Sequence, residues 1–320
     1  MRCGALKAPQ PFLIREIRVM GSLTERLQRA RARARDGFAV ACDELALFIG
    51  NLPARMSSVQ LLPDLHYGPE PGQSLDVYAL PHSQPRPLVI FWYGGGWTQG
   101  EKAEYRFMGT ALAERGYVAV VPDYRKYPQV QFPCFVEDGA RALVWAREHA
   151  RELGADPSRI VIMGHSVGAH LGAMLAYEPS YMHAAGGRRN WIRAFVGLSG
   201  IYAPVPESEI FRQIIPAEFN SDDWQPLWHV DKHAPPSLLL HGLEDQLVNP
   251  LETVRLRNVL VRNGVHVEME LYSGRSHSDT VAAFSPLARR RMPSLNSVAR
   301  FINRLCSDAA LGASAGSLAL

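Results

Sequence analysis

Ser166 sits in Gly164-His165-Ser166-Val167-Gly168, a G-x-S-x-G pentapeptide between the apolar run Ile160–Met163 and the helix-forming stretch Ala169–Ala176. A chain that passes from a buried strand into a helix over so few residues must turn sharply, with the serine at the apex in a strained conformation. Gly164 and Gly168 remove side chains that would collide in that turn, and the hydroxyl then projects above the sheet at the positive end of the helix. A serine hydroxyl is not ionised at neutral pH, so attack on a carbonyl needs a base, and the base needs an orienting acid.

For a serine on such a turn the acid follows in the chain, and the base follows the acid. Asp245 stands in His241-Gly242-Leu243-Glu244-Asp245-Gln246-Leu247-Val248, just beyond the apolar run Ser237–Leu240. That is the carboxyl end of an expected strand, where the catalytic groups of open α/β sheets collect. Glu244 is the alternative acid. His277 stands in Ser273-Gly274-Arg275-Ser276-His277-Ser278, again on a strand-end loop, and is the expected base. His266 lies within a strand, and His165 and His170 flank the turn but precede the acid; His66, His82, His149, His183, His229 and His233 have no comparable context.

A second signal is Phe91-Trp92-Tyr93-Gly94-Gly95-Gly96-Trp97, directly after another buried-strand pattern. Three glycines let the backbone turn N–H groups toward an anionic oxygen. The G-x-G-x-x-G of a dinucleotide loop is absent. Beside the serine turn, the N–H groups of Gly95, Gly96 and Val167 are the expected oxyanion hole. Trp97, with Tyr93 before the glycines, is expected to line the substrate site.

These groups need a scaffold, and the chain supplies its pattern from about residue 60. Pro87–Tyr93, Tyr117–Val121, Ile160–Met163, Ala194–Leu198 and Ser237–Leu240 are continuous apolar runs, as in strands buried on both faces of a parallel sheet. Helical stretches are expected at Tyr105–Arg115, Phe135–Leu153, Gly168–Tyr177, Leu251–Asn263 and Ser294–Cys306, and the alternation predicts an α/β fold. Val265–Leu271 alternates and is expected near the edge, with one wetter face. The Pro- and aromatic-rich segment at about 202–233 breaks the rhythm and reads as a small cap-like insertion over the site. The domain reading is therefore an α/β body over 61–306, an N-terminal extension over 1–60 and a flexible tail over 307–320. Within the extension, Ser22 and Glu25 have capping-box spacing and open an expected basic helix running to about Arg35, and Met20 is a candidate start.

The 320 residues are 47% hydrophobic and 20% charged, which excludes a disordered chain and a small disulfide scaffold. The net charge of +3 is concentrated in residues 1–50, where nine Lys/Arg stand against five Asp/Glu. The rest is nearly neutral, so nucleic acid is not an expected partner. Cys3, Cys42, Cys134 and Cys306 have no metal-ligand spacing and read as reduced thiols. No signal peptide or membrane-spanning run is found, and a cytoplasmic location is expected.

The residues Tyr93–Trp97, Pro122-Asp123-Tyr124-Arg125, Gly164-His165-Ser166-Val167-Gly168-Ala169-His170, Asp245 and His277 resemble the α/β-hydrolase superfamily. The likeness is to its esterase/lipase branch, which includes hormone-sensitive-lipase-like carboxylesterases, isoprenylcysteine methylesterases and kynurenine formamidases. It covers roughly Leu75 to Arg304. The resemblance implies a mostly parallel sheet of about eight strands flanked by helices, a Ser-Asp-His triad, and neither cofactor nor metal. Many members carry His where this chain has Tyr93, a departure that bears on how the glycine loop is braced. The implied activity is hydrolysis of small or medium carboxylic esters. Its alternative is cleavage of an N-formyl amide such as N-formylkynurenine, and a third reading is a non-catalytic receptor on the same scaffold.

Overall fold

The computed structural model describes residues 51, 53–203 and 209–307. The basic helix expected near residues 22–35 and the tail expected beyond Ser307 lie outside the described residues. The body is an eight-stranded sheet: β1 (Gln60–His66), β2 (Ser74–Ala79), β3 (Arg86–Trp92), β4 (Val118–Pro122), β5 (Ala155–His165), β6 (Ile192–Leu198), β7 (Ser237–Gly242) and β8 (Val267–Tyr272). Their order across the sheet is β1-β2-β4-β3-β5-β6-β7-β8. β2 runs antiparallel to both its neighbours, and from β4 across to β8 every pairing is parallel. This is the mostly parallel α/β sheet that the apolar runs predict.

The helices are α1 (Arg106–Glu114), α2 (Cys134–Glu148), α3 (Val167–Tyr177), α4 (Pro179–Ala184), α5 (Glu209–Ile214), α6 (Ser221–Trp224), α7 (Leu251–Arg262), α8 (Asp279–Ala282) and α9 (Ser294–Leu305). Both α3 and α9 pack on β6, whose residues are almost all buried, so the two helices cover it from opposite faces. α2 ends earlier than its apolar pattern suggests. Beyond it the Ala150 and Gly154 N–H groups bond carbonyls three residues back, at 3.2 and 3.1 Å, and the chain turns into β5.

Two strands are not apparent as apolar runs. β1 carries Pro63 and a register shift between Leu62 and Leu65, and much of it is exposed. β2 buries Asp76, whose carboxylate lies 2.9 Å from the Lys102 ammonium. β8 is at the edge as expected, but all six of its residues are half-buried and neither face is wetter. The reason is α9: Ser297 donates to Glu270 at 2.8 Å, Arg300 approaches Glu270 at 3.5 Å, and Arg304 pairs with Glu268.

The segment that breaks the β–α rhythm connects β6 to β7 and carries α5, α6 and a short 3₁₀ turn at Pro226–His229. Phe219 of this segment meets Phe132 edge-on at 4.9 Å, and the Phe132 N–H donates to the Ile214 carbonyl at 3.0 Å, whereas Trp228 is exposed.

The loop after β4 is tied down by one buried carboxylate. Asp138 on α2 accepts from the Arg125 backbone N–H at 3.0 Å, from its guanidinium at 2.8 and 2.9 Å, and from the Gln73 amide at 2.7 Å. Breaking a buried pair from one side leaves an uncompensated charge. Asp138→Ala is expected to destabilise the fold by about 3–5 kcal/mol in urea unfolding. A loss below about 1 kcal/mol, the scale of an exposed pair, would contradict this account.

Candidate active site

β5 ends at His165, α3 begins at Val167, and Ser166 between them has φ 55 and ψ −122. The left-handed region is costly for a serine, about 1–3 kcal/mol, so the surroundings must hold it there. The Ser166 N–H donates to the Leu198 carbonyl on β6 at 3.0 Å, and its carbonyl accepts from the Ala169 and His170 N–H groups at 3.0 and 3.2 Å. The flanking glycines are required by contact. A Cβ on Gly164 would lie 2.2 Å from the Gly168 carbonyl oxygen, and one on Gly168 would lie 2.2 Å from the Trp92 carbonyl oxygen.

The glycine loop lies against this turn. A Cβ on Gly94 would meet His165 Nδ1 at 3.0 Å and Ser166 Cβ at 3.1 Å. Gly95 has φ +119 and Gly96 φ +60. The Gly95 carbonyl accepts from the Thr98 and Gln99 N–H groups at 3.0 and 3.1 Å, which closes the turn. Val167 is the first residue of α3, where backbone N–H groups have no partner within the helix.

Tyr93, expected to face the substrate, lies beneath the loop instead. It is fully buried, stacked on Tyr105 and Tyr124 with ring centroids at 5.3 and 5.0 Å. Its hydroxyl donates to Asp123 Oδ1 at 2.5 Å, and the same oxygen accepts from the Lys102 N–H at 2.8 Å. Tyr124 donates to the Tyr93 carbonyl at 3.0 Å, and Lys126 donates to the Tyr93 hydroxyl at 3.0 Å. Burial, then the charge of Asp123, pushes the phenol well above its ordinary range. Tyr93 is thus a brace under the glycines, and this corrects its expected role as a substrate contact.

Trp97 follows the glycines at φ 60 and is 2% exposed. It stacks on Phe135 at 5.6 Å and meets Phe211 and His170 edge-on at 5.7 and 5.2 Å. His170 on α3 donates from Nε2 to the Trp224 carbonyl at 2.7 Å, which fastens the β6–β7 segment to the helix behind the serine. Burial pushes the His170 pKa down to about 4.

Asp245 and His277 come together from separate loops. His277 Nδ1 is 2.7 Å from Asp245 Oδ2, which leaves Nε2 as the ring nitrogen not engaged by the acid. The other carboxylate oxygen, Oδ1, accepts from the Leu247 and Val248 N–H groups, both at 2.9 Å. Burial alone would raise the Asp245 pKa; hydrogen bonds from His241 and His277 outweigh it and hold the group well below the usual carboxylate range. Glu244, the alternative acid, is exposed and accepts from the Gly274 N–H at 3.2 Å instead. The His277 loop reaches the serine turn through His165, whose Nε2 lies 3.3 Å from the His277 carbonyl, the two rings being 4.8 Å apart. Burial, then the neighbouring His277, pushes the His165 pKa down to about 3. Ser166, Asp245 and His277 are all buried.

Sequence reasoning quoted two groups here without giving them a role: Asp123 under the loop, and His241, whose Nε2 is 2.9 Å from Asp245 Oδ2. Among the described residues, no three His, Cys, Asp or Glu side chains form a metal-binding group, and no helix is long and apolar enough to cross a membrane.

The model of the prolyl oligopeptidase family matches residues 138–307, a stretch that contains Ser166, Asp245 and His277. The chain belongs to the prolyl oligopeptidase family of α/β-hydrolases. A second family model, BD-FAE, matches residues 75–188, which hold the glycine loop and the serine turn. On the curated side, the chain is 31% identical over 268 residues to an isoprenylcysteine alpha-carbonyl methylesterase of Arabidopsis thaliana, covering 75% of this chain and 62% of that protein. This chain therefore spans less than two thirds of that relative's length. Among solved structures, an inhibited esterase B from Lactobacillus rhamnosis aligns with TM-score 0.74 at 20% identity, over 92% of this chain and 99% of that one. Apo Thermogutta terrifontis esterase 2 aligns with TM-score 0.65 at 25% identity, over 80% and 97%. The α/β-hydrolase fold expected from the motifs is thus borne out, and the relatives named here are esterases.

His165 and His170 are held neutral in the fold but take an ordinary pKa of 6.5 once unfolded. Between about pH 6.5 and pH 4 the unfolded chain therefore binds protons that the folded chain does not, and stability falls as pH falls. The melting temperature is expected to drop steadily from pH 7 to pH 5. A melting temperature constant over that interval would show that these two rings are not held neutral.

Proposed function

We propose that this protein hydrolyses carboxylic esters with small or medium acyl or aryl groups, through an acyl-enzyme on Ser166. The observation that carries this reading is the Asp245–His277 contact at 2.7 Å on a loop seated against the turn that holds Ser166. His277 takes the Ser166 proton at Nε2 while Asp245 holds Nδ1–H and stabilises the imidazolium that forms. Ser166 Oγ attacks the ester carbonyl, and the oxyanion is received by the N–H groups of Gly95, Gly96 and Val167. His277 then passes its proton to the departing alkoxide, activates a water, and the acyl group leaves as the acid.

The β6–β7 segment acts as a small cap over this site, and Trp97 with Phe211 forms an apolar wall for the substrate. The same machinery suits an N-formyl amide, but the relatives named above are esterases, which favours the ester. A non-catalytic receptor has no use for an aligned acid–imidazole pair. The substrate is a small molecule, with neither nucleic acid nor a membrane span involved. A cytoplasmic setting suits the free thiols of Cys134 and Cys306.

Ser166→Ala is expected to lower turnover of p-nitrophenyl butyrate by ~10⁴–10⁶ and to abolish labelling by a fluorophosphonate. Turnover equal to wild type would remove Ser166 from the mechanism. Measured side by side, release of formate from N-formylkynurenine should be much slower than ester cleavage; the reverse ranking would assign the formamidase activity.

A further inference from the structure

Asp245 carries a second imidazole that the relay described above does not use. His241, at the end of β7, is fully buried. Its Nε2 lies 2.9 Å from Asp245 Oδ2, the oxygen that also receives His277, and 3.2 Å from the Val248 carbonyl. A carboxylate and a carbonyl only accept, so Nε2 bears a hydrogen and is shared between them. On the other side of the ring, Nδ1 is 2.7 Å from Thr253 Oγ1 on α7, a side chain that is itself fully buried. The ring is thus held at both of its nitrogens. Glu252, next to Thr253, is turned elsewhere: its carboxylate accepts from the Tyr202 and Ala203 N–H groups.

We propose that His241 is a positioning residue for ester hydrolysis, fixing Asp245 Oδ2 in the direction of His277. The proposal rests on the reading of Asp245 and His277 as acid and base. The other anchors of Asp245, the Leu247 and Val248 N–H groups, belong to its own loop and hold only Oδ1. With these alone, Oδ2 is free to swing about the Oδ1 anchor, and the imidazole it orients swings with it. His241 ties Oδ2 to the sheet instead. It pairs in register with Leu271 on β8, the strand whose end leads into the His277 loop. The Thr253–His241–Asp245–His277 chain therefore runs from a buried side chain on α7 through a buried strand to the base, and every link is 2.9 Å or shorter.

Two substitutions separate positioning from plain packing. A glutamine amide nitrogen falls near the place of imidazole Nε2, whereas an asparagine amide falls near Nδ1. His241→Gln keeps the donor to Asp245, and His241→Asn keeps only the side facing Thr253. With p-nitrophenyl butyrate, His241→Gln is expected to stay within about fivefold of wild-type kcat and His241→Asn to lose about 10²-fold, the cost of a small misplacement of reacting groups. KM should remain within about threefold in both. Equal effects of the two substitutions on kcat, or a loss carried by KM, would overturn the proposal. If His241→Asn fails to fold, Thr253→Val removes only the hydroxyl that holds the ring; a several-fold loss of kcat at constant KM supports the proposal, and an unchanged kcat overturns it. Asp245→Ala is measured alongside. Wild-type turnover in Asp245→Ala would sink the acid assignment itself, whereas an inactive Asp245→Ala with identical Gln and Asn variants would sink only the role of His241.

Discussion

The Ser166 peptide unit is held at φ 55 and ψ −122 by its bond to Leu198 on one side and by the first turn of α3 on the other. That conformation is unfavourable for an L residue with a side chain, and it persists because the sheet and the helix over-determine it. Most of the neighbouring structure can be read as a condition for it. Gly168 must lack a side chain so that α3 can approach the Trp92 carbonyl on β3, and Gly164 must lack one so that the helix can double back over β5. Gly94 must be small for the next loop to reach the serine from the side.

The acid is managed by a different balance. Taking a carboxylate out of water disfavours its charge, and here four hydrogen-bond donors, two from backbone and two from imidazoles, restore it. The surrounding histidines share a common condition. His165 and His170 are kept neutral by burial. In the mechanism proposed here, a charged ring next to His277 would oppose its imidazolium, so neutral neighbours favour its work as the base.

The parallel strands were legible because burial on both faces leaves an unbroken apolar run, as in Leu88–Trp92 and Ile160–Met163. β1 and β2 were not, because their stabilisation is partly ionic: Asp64 and Asp76 answer to Lys102, a long-range pairing with no local pattern. At the site, the sequence singles out Ser166, Asp245 and His277 because each follows a strand, and the structure places the Asp245 and His277 side chains 2.7 Å apart. Tyr93 was misplaced because the sequence shows that a tyrosine precedes the glycines but not which way it points; the direction is set by Asp123, thirty positions away. His241 was invisible for a similar reason. A histidine at the end of an apolar strand reads as ordinary, and only the fold brings Thr253 and Asp245 to its two nitrogens.

The phenol beneath the glycine loop has one more consequence. Burial raises the pKa of this phenol well above its ordinary range, so the donor to Asp123 is the same uncharged hydroxyl at neutral and at acidic pH. The backbone proposed to receive the developing charge therefore rests on a support that carries no charge of its own.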